Sequence, residues 1–239
     1  TVSAANVATY SSSAINEGTL TLGNGANGGL ASNYTLTGHA SSSFQINQRV
    51  LNSSGSRIYD GSTTASSSDL TLSNLVGSET LTLSGNGTLA NANVATNKSV
   101  TLNTLSIADG SNGGLAANYI LAGGTHQLSV TQRVLNATGT RLYDASTNAN
   151  SSDLSLGNLV GSETLVLSGV GTVADKNVAT NKTISVGTLS IGNGGGGGLA
   201  ANYTLSSGTH LLTINQNPVS ITGTRTYDAT TTTLPTNLS

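Results

Sequence analysis

The chain has 239 residues, of which 8% are charged and 3% aromatic, with no cysteine, methionine or tryptophan and a formal net charge of −2. A surface this neutral, rich in Ser, Thr, Asn and Gly, lacks the clustered Lys and Arg that nucleic acid or an anionic membrane requires. No disulfide framework is available, no thiol or thioether is open to oxidation, and no apolar run reaches the roughly 20 residues of a membrane helix.

From the N-terminus, residues 1–49 carry NVAT (Asn6 to Thr9) and GLASNY (Gly29 to Tyr34), and both motifs return later. NVATNK recurs at Asn93 to Lys98 and Asn177 to Lys182, and GLAANY at Gly114 to Tyr119 and Gly198 to Tyr203, each pair 84 residues apart. The opening segment therefore reads as the C-terminal part of a truncated repeat. Residues 50–133 form a full repeat that opens with LNSSGSRIYDG (Leu51 to Gly61). Residues 134–217 form a second, opening with LNATGTRLYDA (Leu135 to Ala145), and NLVGSETL stands in both, at Asn74 to Leu81 and Asn158 to Leu165. Residues 218–239 hold Arg225-Thr226-Tyr227-Asp228 and read as the N-terminal part of a following repeat. A period this long suits a tandem array of one small domain better than a solenoid coil. Either the chain is a slice of a longer array, or the front of one chain's broken repeat completes the rear of the next, head to tail, as a fibre.

Within a repeat the apolar residues alternate: Leu70 and Leu72, Leu81 and Leu83, Val100 and Leu102, Leu105 and Ile107, Leu128 and Val130. Period two marks strands with one buried face, and the intervening Thr and Ser tolerate a pleated, half-exposed surface. Turns are expected at Asn86-Gly87, Asp109-Gly110, Gly123-Gly124 and Gly139. The pattern predicts about seven short strands per repeat and no helix. The fold class is all-β, a tandem array of small immunoglobulin-like β-sandwich modules with an 84-residue period. Gln132 to Leu135 contains neither Gly nor Pro and reads as strand running from one module into the next, which makes the array a semi-rigid rod. Asn217-Pro218 departs from this, because Pro replaces the apolar residue found at Val50 and Val134.

The Arg-x-Tyr-Asp-(Gly/Ala)-x-Thr signature, the central NVATNK and the closing GLAANY resemble the YDG and related MBG-type repeat domains of large bacterial secreted adhesins, of the filamentous-haemagglutinin-like, two-partner secretion type. The resemblance covers essentially the whole chain. Two departures are Ala145 and Ala229 in place of Gly61, and Gly-Ser-Glu at Gly77 to Glu79 and Gly161 to Glu163 where Gly-Asp is common. The resemblance implies a stalk or spacer module on the bacterial cell surface or outside the cell, with no enzymatic activity, no cofactor and no metal.

The charged residues recur once per module, and repetition favours structure over a catalytic site. Arg57, Arg141 and Arg225 are expected to clamp a carboxylate or loop carbonyls through the planar guanidinium fork. Tyr59 with Asp60, Tyr143 with Asp144 and Tyr227 with Asp228 are expected to fix a turn at a sandwich corner, ring in the core. Asn118 with Tyr119 and Asn202 with Tyr203 are expected to fix a second turn. Sharper readings are weaker. Asp60, Asp69 and Glu79 hold oxygen ligands but no calcium-loop spacing. His126 and His210 share a register, yet His39 falls outside it, and all three read as exposed strand-end residues rather than metal ligands. The glycine run Gly192 to Gly198 lacks the Lys-Ser/Thr and helix of a phosphate loop and reads as a flexible connection. Lys98 and Lys182 suggest an amide crosslink to an Asn assisted by Glu79 or Glu163, although the first copy has Ser11 there. Asn33, Asn52, Asn97, Asn136, Asn181 and Asn202 head N-x-Ser/Thr sequons.

These features lead to a structural spacer that projects a functional tip and aids surface or biofilm attachment, its partners being neighbouring repeats of the same chain. A self-assembling extracellular filament is the structural alternative. A repeated weak carbohydrate- or surface-binding module is a third reading, and the scarcity of aromatic residues opposes it.

Overall fold

The computed structural model describes residues 1–11, 15–16, 18–36 and 43–232. His39 and Thr233 to Ser239 lie outside them. The chain divides into two compact units, Thr1–Thr131 and Gln132–Ser239. Among the described residues both are all-β, with helix confined to three-residue 3-10 turns such as Ser67–Asp69 and Ala116–Asn118.

In the first unit the truncated repeat supplies β1 (Ala8–Ser11) and β2 (Ser43–Ile46), paired antiparallel. The full repeat adds β3 (Arg49–Val50), β4 (Asn52–Ile58), β5 (Thr64–Ser66), β6 (Leu70–Ser73) and β7 (Leu81–Ser84). It continues through β8 (Asn86–Thr88), β9 (Ala95–Ser99), β10 (Ser106–Asp109), β11 (Tyr119–Ile120) and β12 (His126–Thr131). The main sheet has the order β6-β4-β12-β9, and the antiparallel pairs β7/β10 and β5/β8 complete the small sandwich. Its first and last long strands, β4 and β12, lie side by side in parallel, from Ser53 opposite His126 to Ile58 opposite Thr131.

The second unit repeats the plan with β13 (Arg133–Val134), β14 (Asn136–Leu142), β15 (Asn148–Asn150), β16 (Leu154–Gly157) and β17 (Leu165–Ser168). The remaining strands are β18 (Val170–Val173), β19 (Ala179–Ser185), β20 (Ser190–Asn193), β21 (Tyr203–Thr204) and β22 (His210–Asn215). Here β18 also pairs with β19, so the sheet reads β15-β18-β19-β22-β14-β16. The parallel contact recurs between β14 and β22.

The strands outnumber the expected seven, and one of the extra breaks has a local cause. Gly85 has φ +84°, a left-handed conformation that turns the chain between β7 and β8, where the apolar alternation reads as one run. The break is thus at Gly85, and Gly87 lies inside β8. Gly139 is likewise no turn: it sits in the middle of β14, opposite Leu154 and Leu212. Glycine is needed there because the carbonyl of Asp153, ending a 3-10 turn, passes 1.8 Å from where a Cβ would stand. Gly192 to Gly198 is not a slack connection either. Gly194 N–H donates to Gly198 O (3.0 Å) and Gly198 N–H to Gly195 O (3.1 Å), which closes a turn against Thr164.

The core follows the repeat. Leu51, Ala65, Leu70, Leu105, Tyr119, Leu121, Leu128 and Val130 are buried, as are Leu135, Ala149, Leu154, Leu189, Tyr203, Leu205, Leu212 and Ile214, the residues one period on. The module edge falls two residues ahead of the expected 133/134 boundary. Gln132 Nε2 donates to Ala201 O (3.2 Å) and Tyr203 O (2.9 Å), and β13 pairs in parallel with β21, so Gln132 and Arg133 belong to the module that follows them. Pro218 ends this pattern: residues 216–222 form no strand.

Candidate functional site

Two constellations recur, a corner around Arg57 and a joint around Asn118 and Tyr119. At the corner, the end of β4 aims Arg57 at the loop leading to β5. Its guanidinium donates to the carbonyls of Ser62 and Thr64 and lies 3.5 Å from Asp60 and 3.9 Å from Asp69. Asp60 in turn accepts from Ser62 N–H (2.9 Å), an Asx turn that holds the loop in reach. In the second copy Arg141 donates to Ser146 O (2.6 Å) and pairs with Asp144, which accepts from Ser146 N–H (3.0 Å). In the third, Arg225 donates to Thr232 O (2.6 Å) and lies 3.3 Å from Asp228. Apart from Asp69, the corner is local, formed within eight residues. The Nε–H of Arg57 and of Arg141 is buried without a partner.

The tyrosines of the corner differ. Tyr59 is 3% exposed, Tyr143 is half-buried and Tyr227 is 90% exposed, so the core position expected of the ring is filled by Tyr59 alone. Tyr143 instead lines a cavity of about 480 Å³ with Val178, Gln216, Asn217 and Pro218, and no described strand packs residues 225–232 into a sheet. Gly61 at φ +75° is replaced by Ala145 at φ +64° and Ala229 at φ +58°, so the later copies hold an alanine in the left-handed region.

At the joint, Tyr119 donates its phenol proton to Glu79 and accepts from Val76 N–H (3.1 Å). Tyr203 repeats this with Glu163 (2.6 Å) and Val160 N–H (3.0 Å). Burial first, and the hydrogen bond to the carboxylate second, raise both phenols, Tyr203 to about 12. Asn118 closes the turn Ala116–Asn118, which is held by Ala116 N–H donating to Asp109 Oδ1 (2.7 Å). Asn193 and Asn24 accept in the same way from Ala200 and Ala31 (2.8 Å each). Asn202 is 1% exposed and Asn33 is exposed, so of these two sequons only Asn33 offers an accessible amide.

The raised phenol has a pH consequence. A folded Tyr203 binds its proton more tightly than an unfolded one at the ordinary value of 10, so its contribution is complete below pH 10 and is lost as pH rises through about 12. Equilibrium unfolding of the chain at stepped alkaline pH should show the second unit losing up to about 2 kcal/mol across this window. Tyr203→Phe should flatten that loss, and a wild-type profile already flat to pH 12 would contradict it.

Other residues take places that the sequence did not foretell. His126 and His210 are buried, not exposed: Nε2 of each donates to a carbonyl, Leu121 O (2.8 Å) or Leu205 O (2.7 Å). Nδ1 meets Ser53 Oγ (2.9 Å) in the first and accepts from Ala137 N–H (3.0 Å) in the second. Arg49 grips Asn74 through its carbonyl (2.6 Å) and side chain (2.7 Å), and Arg133 grips Asn158 likewise. Asn74 and Asn158 both hold φ +72°, a tolerance for the left-handed region that their position in NLVGSETL could have signalled. Lys98 Nζ donates to Asn91 O and Oδ1 (2.8 Å each), and burial followed by the Arg57 charge lowers its pKa. Lys182 pairs with Asp175 (2.6 Å), which lowers the carboxyl's pKa. Glu79 and Glu163 accept from Tyr119 and Tyr203. Among the described residues no three His, Asp or Glu side chains gather to hold a metal ion, and no helix is long and apolar enough to cross a membrane.

The comparisons agree with the internal period. The YDG domain family model matches residues 46–128 and again residues 126–210, together more than half of the chain. Comparison with curated proteins and with solved structures gave no match. The chain belongs to the YDG domain family, with the domain present twice in tandem.

Proposed function

We propose that the chain is a structural stalk or spacer in an exported bacterial surface adhesin, without enzymatic activity, holding a functional tip away from the cell surface. One observation carries this reading: the recurrent charges are spent on the modules' own backbone and side chains. Arg57 and Arg141 hold loop carbonyls, Arg49 and Arg133 hold Asn74 and Asn158, Lys98 holds Asn91, and Glu79 and Glu163 accept from tyrosines. A ligand-binding module would aim some of these groups at one open surface, and an enzyme would gather them once. The domain family and its tandem repetition support the same reading. An exported, extracellular setting accords with a chain that holds no thiol or thioether to oxidise.

Light scattering and negative-stain imaging of the purified chain over a wide concentration range test the proposal, together with the variant Arg141→Ala. The expected result is a monomer at every concentration and a variant with a lowered melting temperature and no change in attachment to cells or surfaces. Filaments that lengthen with concentration, or attachment lost at an unchanged melting temperature, would overturn it.

A further inference from the structure

We propose that Asn118 is a latch between consecutive repeats, whose partner is the Asn6-Val7 loop of the repeat upstream, the counterpart of the loop that precedes β9 in the full repeat. The proposal rests on the spacer reading for its purpose but not for its geometry. Asn118 Oδ1 accepts from Val7 N–H at 2.8 Å, and its Nδ2 donates to Asn6 Oδ1 at 3.0 Å, across more than a hundred residues of sequence. Both halves of one carboxamide are used, and among side chains of this length only Asn supplies a donor and an acceptor together.

Each side of the contact is held in advance. On the downstream side, the 3-10 turn is fixed by Ala116 N–H on Asp109 and by Asn118 N–H on Leu115 O (3.0 Å). Gln48 Nε2 donates to Ala117 O (3.1 Å) and Tyr119 O (3.0 Å), so the chain leaving β2 is bound to the same turn that carries the latch. On the upstream side, Tyr10, itself buried, donates its hydroxyl to Asn6 O at 2.8 Å and fixes the loop that Asn118 grips. A cavity of about 280 Å³ beside the contact is lined by Asn6, Val7, Ile46, Glu79, Asn118 and Tyr119. Such a joint is incompletely packed, and its geometry depends on directed polar contacts more than on apolar burial. The surface is therefore specific for an upstream YDG repeat presenting an Asn-Val pair with a free backbone N–H.

Amide hydrogen exchange of the intact chain, with paired spin labels at Ala8→Cys and Ala108→Cys, tests the latch. The native chain has no cysteine and both positions are exposed, so the labels report the two sides without competing sites. In Asn118→Ala the Val7 amide should exchange on the order of tenfold faster, the value of one hydrogen bond, and the label distances should spread. Amides of β12 should be unchanged. If β12 also exchanges faster, Asn118→Leu, nearly the same size and unable to hydrogen-bond, decides between a lost latch and a lost turn. A Val7 amide unprotected in the native chain, or unaffected by both substitutions, overturns the proposal. That failure would leave the spacer reading standing, because scattering and attachment decide the latter independently.

Discussion

Gly139→Ala should lower the melting temperature of the second unit by roughly 12 to 24 °C, the equivalent of about 3 kcal/mol in a domain of this size. The added methyl would stand 1.8 Å from the carbonyl oxygen of Asp153 and 2.8 Å from its carbon. Both atoms are backbone, so no rotamer change can clear them. Nor can the strand retreat, because β14 is registered against β16 on one side and β22 on the other. The strain must push out the 3-10 turn Ser151–Asp153 or open the sheet, and either exposes Leu154, which is only 9% exposed in the native fold. Differential scanning calorimetry reads this directly, with the first unit's transition as internal reference. Gly157→Ala is the control: its nearest contact would be Asn136 O at 3.9 Å, an ordinary separation. A shift at Gly139 no larger than at Gly157 would refute the steric account.

The second large effect is expected at a residue that the sequence misrepresented. His210→Ala should destabilise the second unit by about 3 to 4 kcal/mol. The imidazole accepts from Ala137 N–H at 3.0 Å and donates to Leu205 O at 2.7 Å, which joins β14 to the turn before β22. Truncation leaves a buried donor and a buried acceptor without partners, each worth about 1 to 3 kcal/mol, as well as a void beside Gly208. Urea unfolding should show a lower midpoint with an unchanged slope, since the surface exposed on unfolding hardly differs. An unchanged midpoint would mean that water replaces the ring at no cost.

How much of this was legible in the sequence depends on whether the information was local. The faces of strands were: Leu70, Leu128 and Val130 alternate because the pleat alternates, and they are buried as the period demands. The corner was local too, since Arg, Asp and the carbonyls they bind lie within eight residues. His126 and His210 stand two positions before Leu128 and Leu212, on the buried parity, so the signal existed but was outweighed by the polarity of the residue. Partners across the sheet were not legible. Alternation says which face a side chain takes and nothing about which strand lies beside it, so the parallel pairing of β4 with β12 had no local trace. Gly139 misled because a glycine excluding a distant carbonyl and a glycine turning the chain look alike in one dimension. Asn118 is an Asn after two alanines, and only the fold brings Val7 to it.

That parallel pairing governs how a module responds to tension. In the second unit the first and last long strands are β14, which follows the short β13, and β22, and these strands are neighbours running the same way. Their registered pairs extend from Ala137 with His210 to Leu142 with Asn215. A pull on the two ends is therefore directed along the strands, and it slides one past the other instead of peeling them apart. Under such shear the hydrogen bonds of the pair carry the load together, whereas a hairpin pulled at its open end loses them singly. Loading the two ends of each module in this direction turns a modest number of backbone bonds into a mechanical clamp.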